Sequence, residues 1–214
     1  MVTIKTRLPI PSLRPYVKMY FWGKDDEAPL VQRIVPNGEM GLCFYLNHPV
    51  IYDGIGERRS CLSGQSLHYH DIVSDGRIEI VGAHFTTLGA HVFFSSPLRH
   101  FFGQIVPLAD LADPRLHRLE EEVMQAYDYE ICWNLLEAFF LERLCHSDFD
   151  ALTFRRLQRP LPMVSVIHPL PRSVRSRLKH VSASAISTES SPVSLAFRPK
   201  IISVCNVTTR HSAT

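Results

Sequence analysis

The stretch LVQRIVPNGEMGLCFYLN, residues 30–47, indicates the class of fold more clearly than any other part of the sequence. Two short apolar runs in it are separated by Pro36-Asn37-Gly38, a tripeptide typical of tight turns. Similar runs lie on both sides, each closed by a glycine or by Asp-Gly. About seven strands at roughly 8–12-residue spacing are characteristic of a β-sandwich or barrel, which we expect over residues 1–110. No helical pattern separates the runs, so a parallel α/β sheet is not expected.

The segment RIEIVGAHF, residues 77–85, has the alternation of a strand. Ile78, Ile80 and Gly82 share one face, and the residues between them share the other. The alternation alone does not say which of the two faces lines the interior of the barrel.

Residues 111–159 have a helical pattern instead. Asp113 and Pro114 are a suitable N-cap and first residue for one helix. The segment EICWNLLEAFFLERL, residues 130–144, is apolar around most of its circumference, which is typical of a helix buried in a core or a subunit interface. A third helix begins in DFDALTFRRLQR, residues 148–159, and ends before Pro160.

The composition changes after Arg159. Residues 160–214 contain six prolines, eleven serines and a single acidic residue, Glu189. Their seven Lys/Arg against one Glu give a net charge of +6, whereas 16 Lys/Arg against 20 Asp/Glu give residues 1–159 a net charge of −4. A basic tail on an acidic body can indicate a nucleic-acid-binding arm.

The remaining composition points to an intracellular protein. The five cysteines are odd in number and widely spaced, and no CxxC pair occurs, which fits a reducing compartment better than a disulfide framework. The first residues lack the apolar core of a signal peptide, and no run of 18 apolar residues exists. We therefore expect a cytoplasmic protein with no membrane segment.

Four segments in order, PSLRPYVKMYFW, IVPNGEMGLCFYL, VGAHFTTLGAHVFF and PLRHFFGQIVPLADL, together with the apolar helix pair that follows, resemble the N-terminal sensor domain of AraC-type transcriptional regulators. The resemblance covers about residues 7–159 and is to the branch whose sensor carries a Pro-Asp-Gly turn, here Pro36-Asn37-Gly38. It implies an α+β protein with a cupin-like barrel over residues 1–110 and a helical dimerisation segment over residues 111–159. A DNA-binding domain with two helix-turn-helix motifs should follow.

Residues 160–214 have neither the length nor the composition of that DNA-binding domain. When the codons from Lys179 onward are read in a shifted frame, codon degeneracy permits a peptide that resembles the second half of the family's domain. We therefore interpret the tail as an out-of-frame, largely irregular replacement of the helix-turn-helix domain, with no intact DNA-binding residues. The alternative is a genuine Ser/Pro-rich basic tail that binds nucleic acid or stays disordered.

The histidines raise the question of a metal site. His68 and His70 would point to the same face of a strand, and with His84 on a neighbouring strand they could form a cupin metal triad. The preceding Gly64 is too close to His68 for the usual cupin motif, and no Glu follows His70 at the usual spacing. We therefore expect no metal and no cofactor, and interpret these histidines as residues that line or edge the barrel.

The resemblance also implies partners. A small-molecule effector would enter the barrel mouth, with pocket candidates Phe44, Tyr45, His68, His70, His84 and Phe85. A homodimer would form through the apolar helix, with interface candidates Ile131, Leu135 and Phe139. DNA would be a partner of an intact family member but not of this chain. No nucleophile elbow, P-loop, HExxH or dinucleotide fingerprint is present, so we do not expect an enzyme. The alternatives are a metal-dependent cupin enzyme and a stand-alone small-molecule-binding module.

Overall fold

A computed structural model describes residues 2–26, 30–74, 76–94, 97–147 and 200–201. Two β-sheets lie face to face and helices cover the outer face of one sheet, so the expected α+β class and β-sandwich are confirmed. The strands are β1 (Val2–Arg7), β2 (Val17–Asp25), β3 (Leu30–Ile34), β4 (Gly41–Tyr45), β5 (Val50–Tyr52), β6 (Ile55–Arg58), β7 (Ser60–Ser63), β8 (His70–Ser74), β9 (Ile78–Phe85), β10 (Ile105–Pro107) and β11 (Lys200–Ile201). The α-helices are α1 (Ala90–Phe93), α2 (Pro114–Gln125) and α3 (Tyr129–His146), and short 3₁₀ turns occupy Leu98–Phe101 and Leu108–Asp110.

The turn at Pro36-Asn37-Gly38 carries the chain from one sheet to the other. Sheet A has the strand order β1-β2-β9-β4-β7-β10, and sheet B has the order β11-β3-β8-β5-β6. Since β3 lies in sheet B and β4 in sheet A, the predicted turn is not a hairpin between the two apolar runs. Gly38 has a φ of +74°, a conformation that glycine adopts without the steric cost of a Cβ atom.

Two strands of the sandwich have no clear signal in the sequence. β1 is an edge strand of sheet A, mostly exposed, with charged residues in place of an apolar alternation. β6 forms a hairpin with β5 across Asp53 and Gly54, whose φ values of 49° and 73° match a type I′ turn. The residues of β6, Ile55–Arg58, carry little apolar character, so no alternating pattern marks them as a strand.

Sheet A is buried on both faces. On the outer face Tyr20 stacks on Phe140 of α3, with 6.5 Å between the ring centroids, and Phe85 meets Phe140 edge-on at 5.4 Å. On the inner face Phe21 belongs to a buried cluster that fills the space towards sheet B. Neighbouring residues of β2 therefore serve two separate layers, as strand alternation requires.

Helices α2 and α3 are joined where α2 begins and α3 ends. The Asp113 carboxylate accepts a hydrogen bond from the Leu116 backbone N–H at 3.2 Å, and Pro114 is the first residue of α2, which confirms the predicted N-cap. Arg143 of α3 binds the same carboxylate at 2.5 Å. The cap thus also joins the start of α2 to the end of α3.

The expectations for the C-terminal part fall mostly outside the described residues. The predicted third helix in residues 148–159 and nearly all of the tail lie there. Within residues 160–214 the structure describes β11, which runs parallel to β3. None of the helices in the described ranges has the length and apolar character needed to span a bilayer.

Gly82 provides a test of the packing inside sheet A. A Cβ atom at this position would lie 2.1 Å from the Leu42 carbonyl oxygen and 2.8 Å from Phe21 Cζ, so Gly82→Ala should lower the free energy of unfolding by about 1–3 kcal/mol. Urea denaturation monitored by circular dichroism measures this change.

Gly41→Ala is the matched control on the adjacent strand. The nearest heavy atoms to a Cβ there lie 3.7 Å away, at ordinary contact distance, so the substitution should raise stability by about 0.5 kcal/mol. Equal effects of the two alanines would show that close packing at Gly82 is not required.

Candidate functional site

A cavity of about 290 Å³ lies between the two sheets. One side is formed by inward-facing residues of β2, β4 and β9, and the other by β3 and β8. The residues that line it are Val2, Ile4, Phe21, Trp22, Gly23, Lys24, Asp25, Gln32, Arg33, Ile34, Val35, Pro36, Asn37, Cys43, Ile72, Ile78, Ile80 and His84. Most of these side chains are apolar, which is typical of small-molecule sites.

Strand β9 supplies one wall of the cavity. Ile78, Ile80 and His84 line the cavity, whereas Gly82 lies between them without a side chain. The Phe21 ring occupies the space that a larger residue at position 82 would need. The face of β9 that sequence alternation grouped together is thus the inner one.

The missing side chain at Gly82 places Phe21 beside His84. The centroids of the two rings are 4.8 Å apart and their planes are tilted by 33°. His84 Nδ1 is buried without a hydrogen-bond partner, and it lies 3.8 Å from Oε2 of Glu39. Burial lowers the pKa of His84, because the charged imidazolium would lose its hydration. The site therefore contains a neutral imidazole with an unused polar atom.

The inner half of the sandwich is filled by polar aromatic and thiol groups. The Tyr45 and Tyr52 hydroxyls lie 2.5 Å apart, and the Cys61 thiol donates to the Tyr52 oxygen at 3.6 Å. Cys43 and Cys61 are cross-strand partners whose thiols hydrogen-bond each other, which raises the pKa of Cys43. Burial raises the pKa values of both tyrosines. This network closes the barrel on one side of Cys43 and leaves the cavity open on the other.

The structure separates the three histidines that the sequence grouped. His68 is exposed in the loop before β8, so the expectation that it shares a strand face with His70 is wrong. His70 begins β8 and its Nδ1 lies 2.7 Å from the Asp53 carboxylate. His84 is the histidine of this group that lines the cavity. Across the described residues, no group of three or more His, Cys, Asp or Glu side chains is arranged to hold a metal ion.

The aromatic pocket candidates divide between the two faces of sheet A. Tyr45 faces inward but lies within the closed tyrosine network, and it does not line the cavity. Phe85 packs against the helices, with ring contacts to Phe93 and Phe140. Phe44 pairs in register with Ser60, whose hydroxyl donates to Glu120 of α2 at 2.5 Å, so it faces the helices as well. Phe44 and Phe85 therefore lie on the face of sheet A opposite the cavity.

Several lining residues were not among the sequence candidates. Ile72, Ile78 and Ile80 line the cavity, but an isoleucine in a strand is an ordinary core residue and does not by itself indicate a ligand site. Their signal was strand alternation, which became informative only when the inner face was known. Trp22 and Phe21 adjoin each other, so no alternation rule would have placed both at one cavity.

The interface candidates lie on α3. Ile131 and Leu135 are half-buried, whereas Phe139 is buried and has the Arg143 guanidinium 5.0 Å from its ring centroid. Leu135 and Phe139 line a groove of about 320 Å³ between α2 and α3. Leu135 therefore combines an apolar side chain with an accessible position, and Phe139 already belongs mainly to the protein's own core.

The lowered pKa of His84 predicts a pH dependence of stability. In the unfolded chain the imidazole takes up a proton near its usual value of 6.5, whereas in the folded protein it stays neutral to lower pH. The unfolded state then binds more protons between the two pKa values, so the His84 contribution destabilises the fold as the pH falls below about 6.5. Between pH 7.5 and pH 5.5, the free energy of unfolding should decrease less in His84→Leu than in the wild type.

Urea denaturation at the two pH values measures this difference. His48→Leu removes an exposed imidazole from a loop and serves as the control for the loss of a histidine as such. An unchanged pH dependence in His84→Leu would contradict the burial effect.

Among the comparisons with known proteins, one match covers the β-sandwich. Neither a curated protein nor a solved structure matches the chain. One family model matches residues 5–107, and its description is Domain of unknown function (DUF6597). The match begins within β1 and ends at Pro107, the last residue of β10, so it follows the sandwich and leaves out α2 and α3. Residues 5–107 of this chain, slightly under half of its length, are therefore similar to the DUF6597 domain.

Proposed function

We propose that this chain is the ligand-sensing and dimerising part of an AraC-type transcriptional regulator. The matched family is known as an N-terminal domain associated with AraC-type proteins, which supports the resemblance seen in the sequence. The sandwich with an apolar cavity and the helical layer beside it supply the two parts that such a sensor needs. In this proposal the chain is cytoplasmic and is not an enzyme.

One observation carries the proposal: the cavity and the helical layer share strand β2. The Phe21 side chain lines the cavity, and the Phe21 carbonyl oxygen accepts a hydrogen bond from Trp133 Nε1 of α3 at 3.1 Å. On either side of Phe21, the Tyr20 ring stacks on Phe140 and the Trp22 ring lies 5.0 Å from the Tyr129 ring of the same helix, tilted by 34°. A ligand that shifts β2 therefore acts directly on the position of α3.

The mechanism is a shift between populations of two arrangements. A ligand that binds the cavity better in one arrangement of β2 and α3 increases the population of that arrangement by its difference in affinity. In an intact regulator, the helices would pass the change on to the DNA-binding domains.

In this chain the output domain is replaced by residues 160–214, so we expect no sequence-specific, salt-dependent DNA binding. A mobility-shift assay with competitor DNA measures this. Tight binding that persists against the competitor would contradict the loss of the output domain.

The coupling through Phe21 can be tested with naphthalene, a neutral apolar probe small enough for the cavity. Naphthalene should raise the melting temperature of the full-length chain and slow amide hydrogen exchange in both β2 and α3. In Trp133→Phe, which loses the hydrogen bond to the Phe21 carbonyl, β2 should remain protected while the effect on α3 becomes smaller.

Ile80→Trp fills the cavity and serves as the blocking control. It should abolish the response to naphthalene in both elements. Binding of naphthalene with no change in α3 of the wild type would contradict the coupling, and an unchanged response in Ile80→Trp would show that the probe binds elsewhere.

The proposed dimer uses the face of α3 that carries Ile131 and Leu135. The neighbouring groove is rimmed by the oppositely charged pairs Arg118–Glu122 and Arg115–Glu142, so the surface carries both charge signs, as a self-complementary two-fold contact requires. Light scattering should give twice the chain mass for the wild type.

Leu135→Arg should convert that dimer to a monomer, because an arginine would place a charge in an apolar contact. Leu67→Arg, at an exposed loop position, is the matched control and should remain a dimer. A monomeric wild type, or a dimeric Leu135→Arg, would contradict this interface.

A further inference from the structure

We propose that Cys43 and Cys61 form a reactive dithiol, which small peroxides such as hydrogen peroxide convert reversibly into a disulfide. The oxidant reaches the pair through the cavity between the sheets, where Cys43 forms part of the wall. The inference goes beyond the proposed function, since it requires the cavity as a path to a thiol and not as a ligand site. It assigns a modification site to the inner face of sheet A.

The backbone holds the two cysteines at the separation that a disulfide needs. They lie directly opposite each other on the antiparallel strands β4 and β7. Two residues further on, the Tyr45 backbone N–H donates to the Arg59 carbonyl oxygen at 2.7 Å, so the cysteines also form a pair of the hydrogen-bonded type. Cα atoms in such a pair are about 5.5 Å apart, and disulfides join Cα atoms about 4.4–6.8 Å apart. The strands can therefore accept the bond without a change of register.

The side chains of the pair already contact each other. Both belong to the same buried cluster, and the Cys43 thiol donates a hydrogen bond to the Cys61 sulfur. This contact raises the pKa of Cys43 and, in spite of burial, lowers the pKa of Cys61, to which the Tyr52 hydroxyl also contributes. Since the thiolate is the form of cysteine that attacks an oxidant, the pair holds one ionisable sulfur beside one protonated sulfur.

The cavity gives a small oxidant access to Cys43. This residue is 8% exposed and lines the cavity, whereas Cys61 is 0% exposed. When the thiol proton of Cys43 passes to Cys61 along their hydrogen bond, the negative charge moves to the sulfur at the cavity wall. A space of about 290 Å³ admits hydrogen peroxide, which is little larger than a water molecule of about 30 Å³. Oxidised glutathione, which consists of two linked tripeptides, is too large to enter.

The reaction is a two-electron oxidation. The Cys43 thiolate attacks one oxygen of hydrogen peroxide, the O–O bond breaks, and hydroxide leaves, which produces a sulfenic acid on Cys43. The hydroxide takes up the proton that was lost when the thiolate formed. The Cys61 sulfur then attacks the Cys43 sulfur, the S–S bond forms, the S–O bond breaks, and the hydroxyl group leaves as water with the Cys61 proton. The two thiols are oxidised to a disulfide, and the peroxide is reduced to two water molecules.

The disulfide changes the cavity wall and the tyrosine network together. The two sulfurs move to bonding distance, so the Cys43 sulfur shifts towards β7 and away from the cavity. Cys61 loses the proton that it donates to the Tyr52 oxygen. Disulfides that form in a reducing compartment are usually transient and redox-sensing, which fits a reversible bond at this position.

Cys132 is a matched control within the same chain. It is 0% exposed, as Cys61 is, but it lies on α3 and its thiol donates to the Val123 carbonyl oxygen at 3.9 Å instead of to a second thiol. Burial raises the pKa of Cys132 to about 11. It should therefore stay reduced while the pair oxidises.

Thiol counting on the full-length chain tests the inference. The double substitution Cys145→Ser and Cys205→Ser leaves three of the five cysteines, so free thiols counted after unfolding with a colorimetric reagent should fall from three to one on brief exposure to hydrogen peroxide. Dithiothreitol should restore all three, since it reduces a disulfide but not a sulfinic acid. Peptide mass spectrometry should find Cys43 joined to Cys61, with the loss of two hydrogen atoms, and Cys132 unmodified.

Further arms separate the entry path from the chemistry. Oxidised glutathione should leave all three thiols reduced, and Ile80→Trp, which fills the cavity, should abolish the loss of thiols to peroxide over the same exposure. Tyr52→Phe should slow that loss about fivefold, because the Cys61 thiolate loses one hydrogen bond. Tyr45→Phe removes a hydroxyl that contacts Tyr52 at 2.5 Å and should slow it less. Melting curves of each variant verify that it folds.

The outcomes that would overturn the inference are distinct. Three free thiols after peroxide treatment, or a disulfide that joins either member of the pair to Cys132, would overturn the dithiol. Oxidation of Cys132 at the same rate as the pair would show that the oxidant reaches an opened chain, and undiminished oxidation in Ile80→Trp would show a different route, so either result would overturn the entry path. None of these results depends on naphthalene binding, which tests the proposed function separately.

Discussion

The structure depends on the fact that sheet A has to bury both of its faces. In most antiparallel sandwiches one face of each sheet is in contact with water, whereas here the outer face of sheet A is covered by the three α-helices found in the described part of the chain. Strand alternation then divides the residues of β2 and β9 between two separate cores. Phe21 packs towards sheet B, and its neighbours Tyr20 and Trp22 pack on α3. A displacement of β2 side chains in one core therefore moves the β2 backbone, which also changes the packing in the other core.

The cavity exists because the space between the sheets is filled unevenly. Tyr45, Tyr52 and Cys61 close one half with a network of buried hydroxyl and thiol groups that satisfy each other. In the other half, Gly82 and Gly41 contribute no side chains, and the Phe21 ring uses the room at Gly82. What remains is a largely apolar space with the neutral imidazole of His84 in its wall. This combination, and not the overall fold, gives the site its chemistry.

Local patterns in the sequence were sufficient for most of the elements. The N-cap at Asp113 and the first residue Pro114 were predicted at the observed positions, because a cap depends on the few residues around it. The alternation in β9 correctly grouped Ile78, Ile80 and Gly82, although it could not say which face was the inner one. Edge strand β1 was missed, since it buries too little apolar surface to need an alternating pattern.

The sequence by itself determined that a β-rich part precedes a helical part, where several of the turns fall, and the apolar character of α3, because each of these follows from neighbouring residues. Only the tertiary structure decided that Phe44 and Phe85 face the helices and that His84 lines a cavity from which His68 is absent. A shift of one residue along a strand reverses its face, so the inner face is set by which sheet packs against which layer. That choice is made by contacts between strands far apart in the chain, such as β2 with β9 and β4 with β7, and no short stretch of sequence contains it.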